Sequence, residues 1–450
     1  MPVTQAYRPE AALLDLGPTF VDPVAAADFP QTRLRFRNDR AAATVGLEGL
    51  SDDEWIAHFG RFVPLPDTLP QPLALRYHGH QFRTYNPDLG DGRGFTSAQM
   101  RDDRGRLVDL GTKGSGQTPW SRFGDGRLTL KGGVREILAT EMLAALGVST
   151  SATLSLIETG EQLDRGDEPS PTRSAVMVRL SHGHIRIGSF QRLAYLRDDD
   201  GLRRLTDYAL TNLFDEEPGD PVRLLDLVVG RAATLAAQYM AAGFVHGVLN
   251  TDNINVTGES FDYGPWRFAP TWDPAFTAAY FDHQGLYAFG RQPEAIGWNV
   301  MQLAASLRPI AESDALVETV ERYSARFQQA LVEAVLWRMG LTPLGTPDDR
   351  ALVRAVEATL RATGHPLDRF FHDVFAAPLP DSYGDDWADV RGRAAAFPPR
   401  KARGDYWADE PCSMLIDEVE AIWARIADAD DWTVLATKIK QMRELGVALA

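Results

Sequence analysis

One stretch limits what this 450-residue chain can be more than any other: His246 to Gly264, HGVLNTDNINVTGESFDYG. It sets Asp252 beside Asn253 and places Asp262, followed by Tyr-Gly, further along. β-prone residues lie at both ends, Phe244-Val245 before and Ile254, Val256 and Phe261 after. The stretch therefore reads as a loop, a short strand, a turn at Thr257-Gly258-Glu259-Ser260 and a second strand end, which makes a hairpin over 244–264. Such a hairpin brings Asn253 and Asp262 to one mouth. An amide oxygen and a carboxylate are hard ligands, suited to Mg²⁺ or Mn²⁺ and poorly suited to zinc. Asp252 is then a free carboxylate beside a metal site, where a general base is needed. Taken alone, the same stretch reads equally well as a surface hairpin built from turn-forming Asp and Asn.

The formal net charge of −16 argues against a general nucleic-acid or anionic-membrane surface, so neither is expected as a partner. No basic leader precedes an apolar run, and no apolar run is long enough to span a bilayer; a soluble cytoplasmic protein is the expectation. Cys412 is the one cysteine, so no intramolecular disulfide forms. Of 46 basic residues only five are lysine: Lys113, Lys131, Lys401, Lys438 and Lys440. Where arginine supplies nearly every positive charge, Lys113 and Lys131 stand out. A compact ammonium contacts a phosphate or carboxylate in a space too tight for a planar guanidinium.

Residues 1–72 alternate Pro-rich pieces with one short helix, Ser51 to Phe62, whose Ser51 and Glu54 fit a capping box. They read as an extension packed on the body. Residues 73–195 read as β-rich. Gly90, Gly92 and Gly94 precede a strand over Phe95–Met100, where backbone N–H groups can approach a phosphate and Arg93 can clamp one. A second strand ends at Lys113. The glycine-rich run 111–126, GTKGSGQTPWSRFGDG, lacks Walker spacing. A helix over Lys131–Leu146 carries Glu136 and Glu141 off its main apolar line, and Glu136 can hold a strand lysine in position. Strands over 153–157 and 175–180 follow, with Arg179 and Arg186 near strand ends, where two guanidiniums can converge on a polyphosphate tail. Residues 196–450 read as mainly helical, with 378–410 as a surface loop. The pairs His78/His80 and His182/His184 invite a zinc reading, but no partners are identifiable and they read as structural.

Strand, glycine turn, strand lysine, helix glutamate, then a helical part with Asn and Asp-aromatic-Gly is the plan of a protein kinase. His246 and Asn253 keep the spacing of a kinase catalytic loop, but Val248 occupies the position of its catalytic aspartate. The chain more closely resembles the selenoprotein O / YdiU family of protein adenylyltransferases. The resemblance is carried by YHGHQF, LGDGRG, KGSGQTPWSRFGDGR, VREILATEML, HIRIGSFQ, GFVHGVLNTDNINV, FDYGPW and FDHQGLYAFGRQP. It implies an α+β, kinase-like bilobal fold: a β-rich N-lobe, a larger helical C-lobe and an N-terminal extension.

It further implies transfer of AMP from ATP to Ser, Thr or Tyr hydroxyls of proteins with Mg²⁺ or Mn²⁺, with UTP as another donor in bacterial members. ATP is implied to bind in a flipped orientation. By position, Gly90, Gly92 and Arg93 match the nucleotide-binding glycine loop. Lys113 and Glu136 match the lysine–glutamate pair, Asp125 and Gly126 a second nucleotide-contacting turn, and Arg179 and Arg186 the arginines on the phosphate tail. Asp252 matches the proton acceptor; Asn253 and Asp262 match the metal ligands. Many members carry a cysteine or selenocysteine near the C-terminus, whereas Cys412 is the only one here. Two rival readings stand beside this one: a true kinase moving the γ-phosphoryl group with Asp252 as base, and a non-catalytic nucleotide-binding scaffold.

Overall fold

The structure, a computed structural model, describes residues 4–166 and 168–450. Its strands are β1 (Pro9–Glu10), β2 (Val21–Pro23), β3 (Arg33–Arg37), β4 (Leu73–Leu75), β5 (Gly79–Gln81), β6 (Thr84–Asn86), β7 (Thr96–Arg101), β8 (Leu107–Lys113), β9 (Leu128–Thr129), β10 (Ala152–Leu163), β11 (Thr172–Ser181), β12 (Phe244–Val245) and β13 (Arg267–Phe268). Nine of them form one antiparallel sheet in the order β2-β4-β7-β8-β11-β10-β3, with β1 on β7 and β9 on β11. The helices are α1 (Asp39–Ala43), α2 (Asp52–Phe59), α3 (Leu130–Ala145), α4 (Ile187–Leu196), α5 (Asp199–Tyr208), α6 (Pro221–Ala242), α7 (Gln292–Leu307), α8 (Ser313–Arg338), α9 (Pro347–Thr363), α10 (Leu367–Val374), α11 (Ala388–Ala394), α12 (Ile416–Ala429) and α13 (Thr433–Leu449). The fold is α+β and kinase-like: a sheet with α3 against it, followed by a mainly helical part.

Local chemistry sets several boundaries. The capping box at Ser51 forms, with Glu54 N–H donating to the Ser51 hydroxyl and Ser51 N–H to the Glu54 carboxylate. Asp220 caps α6, Pro221 occupies its first turn, and Gly243 ends it in the left-handed region at φ 69°. Strand β8 is buried along its whole length. Its period of two sends Val108 and Leu110 to one core and lines up Leu107, Asp109, Gly111 and Lys113 on the other face. Register places Arg179 of β11 opposite Gly111 and Met177 opposite Lys113, so Arg179 shares the face of Lys113.

The first 72 residues do more than wrap the body: β1, β2 and β3 are strands of the main sheet. Trp55 and Phe59 pack on its outer face with Val108, Leu154 and Val176. The expected surface loop 378–410 contains α11 and buries Trp387 and Trp407. At the far end of the chain α13 crosses α3. Arg443 pairs with Glu141 at 2.6 Å, and a Cβ on Gly446 would lie 3.3 Å from the Cα of Ala145. Among the described residues no helix is long and apolar enough to cross a membrane.

Candidate nucleotidyl-transfer site

Lys113, at the end of β8, is buried and donates to Glu136 Oε1 at 2.5 Å. Its Nζ also lies 2.7 Å from Asp262 Oδ1. Glu136 is 1% exposed, because α3 is covered both by β10 and β11 and by α12 and α13. Asp262 sits at φ +61°, in the left-handed region that a non-glycine residue adopts at a cost. Two guanidiniums join it, Arg179 at 3.6 Å and Arg186 at 4.0 Å. Both lie over the ring of Phe261, at 5.1 and 4.8 Å, and Arg186 also lies over Tyr77 at 4.4 Å. Burial alone would raise the Asp262 carboxyl. The charges of Lys113, Arg179, Arg186 and Arg93 outweigh it and hold the group well below the usual carboxylate range.

Asp252 is the opposite case. It lies in a short 3-10 turn, Thr251–Asn253, and its Oδ1 is buried without a hydrogen-bond partner among the described residues. Gly79 of β5 permits this close fit, since a Cβ there would stand 2.9 Å from that oxygen. Burial pushes Asp252 up to about 6, against the pull of the Arg186 guanidinium and with a push from Asp262. Arg186 ties the two regions together, donating to the Asp252 carbonyl at 2.9 Å and to Asp91 Oδ1 at 3.1 Å. Asn253 donates its amide to the Val248 carbonyl at 3.0 Å, which leaves Oδ1 without a protein partner among the described residues.

Residues 244–264 do not form the expected hairpin. Asn255 bridges Arg186 and Ser260 bridges Thr150, so the two arms pair with distant segments, while β12 pairs with β13 beyond Asp262. The glycines of the first loop are also explained differently. A Cβ on Gly90 would meet the Trp120 ring at 2.3 Å, and one on Gly92 the Trp120 carbonyl at 2.8 Å. They let the two glycine-rich segments pack together. Arg93 is exposed, near enough to bear on Asp262. Asp125 is exposed and held by Arg165 at 2.9 Å and by the Arg127 N–H, partners outside the Lys113 cluster. Gly126 is buried at φ +70°, and its carbonyl oxygen accepts from the Gly116 N–H. Among the described residues no group of three or more His, Cys, Asp or Glu side chains is placed to hold a metal ion. The histidine pairs are spent elsewhere: His78 on Tyr85, His80 on Gln191 and His184 on Asp109.

A family model described as protein adenylyltransferase SelO matches residues 3–391. The chain belongs to this family. Among the curated relatives named protein nucleotidyltransferase YdiU, three examples align over nearly their whole length. That of Synechococcus elongatus is 50% identical over 99% of this chain and 96% of its own. That of Synechocystis sp. is 43% identical over 94% and 95%. That of Gloeobacter violaceus is 44% identical over 97% and 95%. Within this SelO-family chain, sequence reasoning passed over Asp91, which orients Arg186, and Gly79, which fits Asp252. It also passed over Phe261, the platform for both arginines. Asp91 lay between two glycines already singled out; Gly79 and Phe261 gave no local signal, because their role exists only across the fold.

Proposed function

We propose that this protein transfers AMP from ATP to hydroxyl groups of Ser, Thr or Tyr on other proteins, with UTP as a second donor. Gly90, Gly92, Arg93, Asp125, Gly126 and Lys113 bind the nucleotide, with Glu136 holding Lys113 in position, and Arg179 and Arg186 take its phosphate tail. Asn253 and Asp262 hold Mg²⁺ or Mn²⁺, and their donor set supports this: an ionised carboxylate and an amide oxygen without a protein partner are hard ligands. When bound, the cation supplies charge neutralisation at the phosphates.

The chain's own residues do the rest. Asp252 accepts the proton of the acceptor hydroxyl. The hydroxyl oxygen bonds to the α-phosphorus, the bond from that phosphorus to the bridging oxygen breaks, and pyrophosphate leaves. Lys113, Arg179 and Arg186 spread the developing charge in a buried setting, where fixed cations count most. The observation that carries the reading is Asp252: a buried carboxylate with an unpartnered oxygen, raised toward neutrality, beside an aspartate held ionised. Parallel labelling with α-³²P-ATP and γ-³²P-ATP, with Mg²⁺ or Mn²⁺ and a generic protein acceptor, tests it. Label from the α position alone is expected. Label from the γ position alone makes the protein a kinase with a displaced base, and no label with ATP still bound makes it a scaffold.

A further inference from the structure

A line of buried polar groups runs from the start of the chain to Asp262. The backbone N–H of Leu13 donates to Gln99 Oε1 at 2.7 Å. With that oxygen engaged, the Gln99 amide nitrogen faces the other way and donates to Asp109 Oδ1 at 2.7 Å and to the Tyr208 hydroxyl at 3.2 Å. Asp109 Oδ2 lies 3.1 Å from His184 Nδ1. A carboxylate only accepts, so the ring proton belongs on Nδ1. The bare Nε2 then accepts from Arg179 Nε, 3.2 Å away. Arg179 completes the line at Asp262.

Gln99, Asp109, His184 and Arg179 are 0%, 3%, 4% and 4% exposed, so water cannot substitute for a lost link. Gly111, paired across from Arg179, makes room for the ring: a Cβ there would stand 2.3 Å from His184 Nε2. Burial also lowers the affinity of His184 for a second proton, which keeps the ring neutral and leaves Asp109 to select the tautomer.

We propose that Gln99, Asp109 and His184 are positioning residues: they form a hydrogen-bond chain whose donors converge on the Asp109 carboxylate and that holds Arg179 in place for the nucleotide's phosphate tail. This rests on the reading of Arg179 given under the proposed function. Every link has one allowed polarity: Leu13 and Gln99 donate toward Asp109 from one side, Arg179 and His184 from the other. Reversing the Asp109–His184 link sets two N–H groups against each other at Arg179 Nε.

The polarity can be reversed by one substitution and restored by a second. In Asp109→Asn, Gln99 still needs an acceptor, so the new amide oxygen faces Gln99 and the new amide nitrogen faces His184 Nδ1. The ring proton moves to Nε2 and opposes Arg179. The double variant Gln99→Glu/Asp109→Asn keeps the wild-type charge and turns the amide round, because the carboxylate introduced at position 99 accepts from the Leu13 N–H and from the new amide nitrogen. His184 then recovers its Nδ1 proton.

The single variant should lose about 10- to 100-fold in nucleotide affinity and in kcat/KM for ATP, with the KM for the protein acceptor unchanged. The double variant should recover most of both. Ring ¹⁵N shifts of His184 should show Nδ1–H in the wild type and the double variant, and Nε2–H in the single. A merely structural role for the buried carboxylate predicts no recovery in the double variant. The proposal is overturned by wild-type affinity in Asp109→Asn, by a folded double variant as weak as the single, or by a wild-type His184 protonated at Nε2. The last measurement needs no variant to fold. Should the wild type transfer no label at all, the catalytic reading fails, while nucleotide affinity and the ring shifts still decide the chain.

Discussion

Asp252 and Asp262 leave the same stretch of chain and enter opposite surroundings. Asp262 meets Lys113, Arg179 and Arg186 and stays charged well below the usual carboxylate range. Asp252 lies buried against Gly79 with the charge of Arg186 nearby, and burial raises it to about 6. One carboxylate is prepared to keep its charge, the other to take up a proton. The difference shows that the division of labour here is made by packing and not by residue type, since two aspartates serve both ends.

The largest effect should come from removing the proton acceptor. Asp252→Ala should lower α-label transfer about 10²- to 10⁴-fold while ATP binding stays near wild type. Near-full activity would remove Asp252 from the role of base. Asp262→Asn should strike the other half: a loss of about 10- to 100-fold in metal-dependent ATP affinity, read by titration with and without Mg²⁺. An equal affinity in both proteins would take Asp262 out of the metal site.

Acidity sharpens the contrast further. A base must be unprotonated, so the wild-type rate should fall to half near pH 6 and continue down as pH drops, following Asp252 and not Asp262. A flat profile from pH 5 to 8 would separate the reaction from that carboxyl.

The smallest effect concerns stability. Because Asp252 is raised in the fold, the stability it lends is complete below about pH 4 and is lost as pH rises through about 6. Keeping it charged at pH 7 costs on the order of 1–3 kcal/mol. Asp252→Asn should therefore unfold later than the wild type at pH 7, and the gap should close at pH 4. A variant less stable at both pH values would contradict this.

Much of this was readable in the sequence, for reasons that differ by residue. Lys113 stood out because arginine fills almost every other basic position, and α6 was bounded by Pro221 and Gly243, whose conformations leave little choice. Glu136 was harder. Its place on α3 is off the main apolar line, and only the second covered face of that helix explains its burial. The hairpin over 244–264 failed because Asn255 and Ser260 find partners at Arg186 and Thr150, and such long-range register leaves no local mark. The short strands of the first 72 residues were hidden for a similar reason: β2 ends in Pro23 and joins the sheet at its edge.

The crossing of α13 over α3 bears on how such an enzyme is switched. In protein kinases the helix that carries the pairing glutamate is a lever, swung in to start catalysis and out to stop it. Here the lever is already thrown, with Glu136 on Lys113, and it is bolted from behind by Arg443 on Glu141 and by the close approach of Gly446 to Ala145. Through these contacts the last helix of the chain becomes part of the support behind the Lys113–Glu136 pair.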